Sequence, residues 1–232
     1  MPRPGLARRA LAEAVATFAL VFAGCGAIVV DAERGQALGA VGIGAVFGLV
    51  ILAMVYATGH LSGAHINAAV TLAFTATRHF PLREAAAYVP AQLVGAVAGA
   101  LTLRLAWDGT PADLGATVPN VGAGSALLYE TILTALLMFV IVAVATDTRA
   151  VGSAAAIAIG ATVGLDALFG GDVTGASMNP ARSFGPALVA NTWTDFWIYV
   201  VGPVLGALVG AALYQAMRVP AAPRADIGGR PS

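Results

Sequence analysis

Six stretches of this chain, near residues 10–30, 37–58, 84–105, 125–146, 151–170 and 195–217, are long and apolar enough to cross a bilayer. A helix needs about 20 apolar residues to span roughly 30 Å of hydrocarbon, so these runs decide the solvent before they decide the fold. Composition agrees: 59% of residues are hydrophobic and 10% charged, too few polar groups to coat a water-soluble domain. Two further apolar runs, 67–77 and 179–190, are half as long and suit re-entrant segments rather than spans. The expected fold class is an all-α membrane protein with six transmembrane helices and two re-entrant half-helices. Arg8 and Arg9 precede the first run as they would in a signal peptide, but that run is long enough to span and no convincing cleavage site follows. A retained first helix is expected. The Pro-, Gly- and Arg-rich stretch 219–232 reads as a disordered tail behind a single domain of residues 1–218.

The stretch SGAHINAAV at 62–70 returns as TGASMNPAR at 174–182, one template of hydroxyl residue, Gly, Ala, two variable residues, Asn, one variable residue and Ala. It belongs to a longer duplication. Glu13 and Thr17 are answered by Glu130 and Thr134, and GAVFGL at 44–49 by GATVGL at 160–165. Tyr88, Val89, Gly95 and Gly99 are answered by Tyr199, Val200, Gly206 and Gly210. The features recur in one order, at offsets of 117, 116, 112 and 111 residues, which marks two repeats at about 8–106 and 124–217. Each repeat holds three spans, an odd number, so the second enters the membrane from the opposite side and the repeats are inverted. All basic residues are Arg: Arg3, Arg8, Arg9, Arg78, Arg83, Arg149, Arg218, Arg224 and Arg230 fall on one side, against Arg34 and Arg104 on the other. The positive-inside rule then predicts cytoplasmic termini.

Asn67 and Asn179 head the two short runs, and Asn is a good N-cap. Inverted half-helices would meet N-terminus to N-terminus near the midplane, where their partial positive charges repel cations. Non-helical backbone at that depth is tolerated only where it is buried in protein or lines a wet cavity. The approaches to each Asn, Gly63, Ala64 and His65 in one repeat and Gly175, Ala176 and Ser177 in the other, are expected to be extended and to offer carbonyl oxygens. Acceptors ending at two amide donors suit a file of neutral hydroxylic molecules.

SGAHINAAVT and SMNPARSFGPAL resemble the paired signature loops of the aquaporin and glycerol-facilitator superfamily, and the similarity runs over about residues 10–217. FAGCGAIVV, FVIVAVATDTRAVG and VTGASMNPARSFGPA resemble most the nodulin-like intrinsic proteins of plants and their bacterial relatives. The resemblance implies an aquaporin-like inverted-repeat bundle, one pore per subunit, a homotetramer in the cell membrane, and a passive channel for water and small uncharged solutes. It carries the signature onto Asn67, Ala68 and Ala69 and onto Asn179, Pro180 and Ala181. The first triplet departs from the usual Asn-Pro-Ala, and losing a proline that pre-sets φ at the first helical position should slightly loosen that helix start. Resemblance also implies that Glu13 and Glu130 brace the re-entrant loops, and that the narrowest ring is Phe47, Ala167, Ala176 and Arg182. Strict water pores of the family usually carry His at the place of Ala167, so a wide ring is expected, with Phe47 as an apolar wall opposite Arg182. Glycerol facilitators usually carry Asp where Ser183 stands. The solutes implied are glycerol or metalloid hydroxides such as arsenite or boric acid; a strict water channel is the alternative.

Other residues have plainer readings. Cys25, the sole cysteine, reads as an apolar filler, and no cofactor or metal centre is expected. His65 is read as fixing its loop, His60 and His79 as interfacial. Asp166 is expected to bond the outer loop or, second, to touch the pore. Gly44 with Gly48, Gly95 with Gly99, and Gly202 with Gly206 and Gly210 let helices approach closely, and are expected at contacts between the repeats. Zero net charge without a basic run argues against nucleic acid. A coupled secondary transporter would need an ion-coordinating group at the midplane, where two neutral amides stand. A structural protein with a vestigial pore would need bulky ring residues. An enzyme would need a nucleophile with its base, or a metal cluster, and the sequence offers neither.

Overall fold

The computed structural model describes residues 4–146 and 154–218. The stretch 219–232 and Arg3, Arg149, Arg224 and Arg230 lie outside the described residues. Six helices long and apolar enough to span a membrane are present among those described: Leu6–Glu33, Gly39–Ser62, Leu82–Ala106, Ala123–Thr146, Ala155–Thr174 and Ile198–Met217. The first comprises α1 (Leu6–Leu20), a π-turn (Val21–Cys25) and α2 (Gly26–Glu33). The rest are α3 (Gly39–Ser62), α5 (Leu82–Ala106), α6 (Ala123–Thr146), α7 (Ala155–Thr174) and α9 (Ile198–Met217), with the half-helices α4 (Ala68–Ala76) and α8 (Pro180–Ala190) between.

Local chemistry sets the breaks. α3 and α7 end on Gly63 and Gly175, at φ 93° and 86°, the left-handed residue that terminates many helices and that glycine adopts without a Cβ penalty. Asn67 and Asn179 cap α4 and α8 from extended backbone. Between the glycine and the Asn the chain is not uniformly extended, as the sequence reading expects. Ala64 and Ile66 in the first loop, and Ala176 and Met178 in the second, have φ of 48°, 54°, 40° and 53°. The alternation has a cause: it turns successive N–H groups toward one buried carboxylate, which a flat strand would present to opposite sides.

Within each repeat the outer helices pair closely, α1 on α5 and α6 on α9. Between repeats α3 crosses α7, and each half-helix packs on the last helix of the other repeat, α4 on α9 and α8 on α5. Gly44 and Gly48 do sit between repeats, against Gly160, Gly164 and Leu168. The other small-residue rows correct the expectation. Gly95 and Gly99 pack on Ala14 and Phe18 of α1, and Gly202, Gly206 and Gly210 on α6 backbone and side chains from Leu127 to Ala135, all within one repeat. In both pairs the contacts advance together along the two helices, Gly95 on Ala14 then Gly99 on Phe18, and Gly206 on Thr131 then Gly210 on Ala135, so these glycines serve parallel helices lying side by side inside one repeat. Large apolar side chains such as Leu11, Val15, Leu49, Leu105, Leu128 and Leu213 face outward, as a surface solvated by lipid requires.

Candidate functional site

Each re-entrant loop is bound to a glutamate buried in the first helix of its own repeat. Glu13 accepts from Ser62 Oγ (2.7 Å), His65 N (2.9 Å), Ile66 N (2.7 Å) and Gln92 Nε2 (2.8 Å). Glu130 accepts from Thr174 Oγ1 (2.8 Å), Ser177 N (2.9 Å) and Met178 N (2.8 Å). Tyr88 OH donates to Ser62 O and Tyr199 OH to Thr174 O, at 2.8 and 2.6 Å. Orphan backbone donors at membrane depth are thereby satisfied without water. Gln92, which also donates to Thr71 Oγ1 at 3.1 Å, has no counterpart that the repeat pattern signals.

The two signature loops meet directly. Asn67 Nδ2 donates to Met178 O at 2.7 Å, and Asn179 Nδ2 donates to Ile66 O at 2.8 Å, a reciprocal clasp between the repeats. The side-chain oxygens stay on their own helices: Asn67 Oδ1 accepts from Ala69 N (2.8 Å) and Val70 N (3.4 Å), and Asn179 Oδ1 from Ala181 N (3.0 Å). An amide nitrogen has two donors, so one per Asn is left beside the cavity that both residues line. Pro180 and Ala68 each begin their helix, Ala69 and Ala181 pack behind, and α4 keeps its cap without the proline.

That cavity runs from Phe74, Val55 and Ala145 past both Asn residues to Phe47, Ala176 and Arg182. Gly63, Ala64, His65 and Ser177 line it, whereas Gly175 does not. Arg182 is 1% exposed. Its Nη1 donates to Gly115 O at 2.8 Å, while Nε and Nη2 have no partner. Phe47 and Arg182 do not face each other across the aperture as the sequence reading has it. The guanidinium carbon stands 5.1 Å from the Phe47 ring centroid, so aromatic face and cation adjoin in a cation–π contact. Ala167 does not line the cavity either: it is half-buried and packs against the hydrophobic core.

Several residues have other places than the sequence suggests. Asp166 is fully buried, neither oxygen has a hydrogen-bond partner, and it lies off the cavity wall. It bonds no loop and touches no pore, because the 3.6-residue period of α7 places it on the same face as Gly170, one turn on, which meets Leu133 of α6. His65 fixes its loop through its N–H, and its ring sits among Phe74, Phe80 and Tyr88 with Nδ1 3.0 Å from Thr71 Oγ1. The loop between α5 and α6 brings in residues that motif spacing does not single out. A short 3-10 turn, Pro111–Gly115, supplies the carbonyl for Arg182. Thr117, Ser183 and Ser177 form a hydroxyl chain, at 2.8 and 2.6 Å, that ties this loop to α8.

Residues 2–214 match the family model of the major intrinsic proteins. The chain is 47% identical to aquaporin NIP1-1 of Zea mays over 95% of its own length and 78% of the relative's. It is 49% identical to nodulin-26 of Glycine max over 91% of its length and 78% of the relative's. The X-ray structure of the aquaglyceroporin from Plasmodium falciparum superposes with a TM-score of 0.80 at 26% identity, covering 90% of this chain and 96% of that one.

Proposed function

The chain belongs to the major intrinsic protein family, and we propose that its pore passes small neutral polyols or metalloid hydroxides, such as glycerol, arsenous acid and boric acid, alongside modest water. It is a membrane channel for water and small uncharged solutes. The finer reading rests on one observation. One cavity is lined by the aromatic ring of Phe47, by Ala176 with only a methyl, and by Arg182, whose Nε and Nη2 have no hydrogen-bond partner. Carbon slides on the ring, hydroxyls bond the guanidinium, and the small Ala176 side chain leaves room for more than water. The Asn67 and Asn179 donors and the carbonyls of the re-entrant loops replace lost hydration in turn, while Arg182 and the two half-helix starts repel cations. Glu13 and Glu130 hold the loops in that geometry. The pore is a conduit and catalyses no reaction.

The proposal extends to a homotetramer in the plasma membrane with cytoplasmic termini, supported by the family resemblance and by the Arg asymmetry. A stopped-flow panel of water, glycerol, urea, arsenite and borate on proteoliposomes tests the solute class. Wild type should pass glycerol and at least one metalloid hydroxide faster than protein-free vesicles. Ala167→His with Ala176→Thr should suppress these more than water. A wild type that passes water alone overturns the reading.

A further inference from the structure

The first span leaves α geometry where it meets the aperture. Val21–Cys25 is a π-turn inside Leu6–Glu33, and single π-turns in α-helices are frequent at functional sites. Consecutive residues of this turn abut Phe47, one partner of the cation–π pair, and Gly115, whose carbonyl holds the other. A Cβ built on Gly24 would stand 2.3 Å from Cε1, 2.6 Å from Cδ1 and 2.8 Å from Cζ of Phe47, so one edge of the ring rests on bare backbone. Cys25 is fully buried behind Gly115, where a Cβ on Gly115 would come within 2.8 Å of Cys25 Cβ. Gly115 is the residue whose carbonyl holds Arg182. It closes a left-handed run of Ala112, Asp113, Leu114 and Gly115, at φ 47°, 48°, 54° and 73°. Left-handed backbone is costly for a non-glycine residue and persists only where its surroundings over-determine it.

Gly24 also differs in kind from the packing glycines. Gly48, Gly95 and Gly210 have backbone atoms of another helix as their nearest neighbours, and serve helix approach. Gly24 meets a side chain that lines the cavity. We propose that Gly24, carried toward Phe47 by the π-turn, is a positioning residue for solute selectivity: the missing side chain lets the Phe47 ring retreat and sets the width of the aperture. This rests on the reading of Phe47 as part of the selectivity ring. Ordinary carbon contacts lie at about 3.5–4.0 Å, so a methyl on Gly24 displaces the ring by about an ångström. The ring's free side is the cavity, and it moves there, against Arg182.

The test uses the full chain in proteoliposomes, with size-exclusion profiles checked before reconstitution. Gly24→Ala should lower glycerol permeability by about tenfold relative to water, the low end of what one methylene of misfit does in a pocket. Phe47→Leu removes the ring edge that the new methyl would strike. Gly24→Ala on Phe47→Leu should therefore match Phe47→Leu alone in both water and glycerol, and this pair carries the test if Gly24→Ala by itself does not fold. Parallel loss of water and glycerol in Gly24→Ala, or a double variant that differs from Phe47→Leu, overturns the inference. Failure of the underlying reading looks different: Phe47→Leu would then leave the glycerol-to-water ratio of the wild type unchanged.

Discussion

At the scale of single residues, the two signature asparagines do more than cap. Each amide is divided, its oxygen spent on its own half-helix and one N–H on the opposite loop, at 2.7 and 2.8 Å. Asn179→Asp therefore sets a carboxylate oxygen against Ile66 O, acceptor against acceptor, and should cost about 1–3 kcal/mol where a buried bond is lost. Ala68→Pro touches only the first helical position, where proline wastes no hydrogen bond. The first variant should lower both the detergent melting temperature and water permeability well below the second; equal effects in the two assays would contradict the clasp. Arg182→Val frees Gly115 O and removes the cation from the cavity, so proton leak, followed with a pH-sensitive dye inside the vesicles, should rise. The caps were legible in the sequence because Asn before an apolar run has one local meaning. The clasp was not, since a repeat tells that two residues are equivalent and says nothing of which carbonyl each one meets. The surroundings of Asp166 and Ala167 are illegible for a related reason: alignment to a motif gives a position along α7 but not the face it turns to, and both residues lie off the cavity wall.

Among the elements, glycine separates helix contacts into those that are full and those that are open. A Cβ on Gly210 would lie 2.2 Å from Ala135 O, between α9 and α6, whereas one on Gly171 in α7 would meet nothing within 4 Å. Gly210→Ala forces two helices apart and should destabilise by about 1–3 kcal/mol, as overpacking does. Gly171→Ala gains helix propensity without a clash and should be neutral or stabilising by about 0.5–1 kcal/mol. Thermal unfolding in detergent ranks the pair, and a Gly210→Ala as stable as wild type would mean that α6 and α9 are less close than described. Element lengths and the half-helices were readable because hydrocarbon thickness fixes one and the Asn cap fixes the other. The π-turn at Val21–Cys25 was hidden, because one residue added to a helical turn leaves an apolar run apolar. The left-handed turn at Ala112–Gly115 was hidden as well: Ala and Leu carry no signal for positive φ and a lone Asp only a weak one, and the turn packs on Cys25 and holds Arg182 through Gly115, contacts distant in sequence.

For the molecule as a whole, inversion makes the two ends of the pathway chemically alike at its centre. Each half supplies one Asn, one half-helix start and one glutamate, and both glutamates spend their oxygens on loop and neighbouring side-chain donors: Glu13 takes four hydrogen bonds, Glu130 three. A carboxylate so engaged is not free to load and release an ion, and its twin in the other repeat is engaged in the same way. Coupling to a proton or sodium gradient would need one of them to change partners during transport, which would unlatch a re-entrant loop and lose several buried bonds at about 1–3 kcal/mol each. Conduction should therefore be passive and symmetric. Vesicles holding the protein in mixed orientation cannot reveal asymmetry, so oriented reconstitution, checked by proteolysis at one face, is the proper sample. Swelling and shrinking under equal and opposite osmotic steps should then give equal initial rates, and an imposed proton gradient should alter neither. Solute accumulation against its own gradient when protons are supplied would show that a buried glutamate is moving, and would make the protein a coupled transporter rather than a pore.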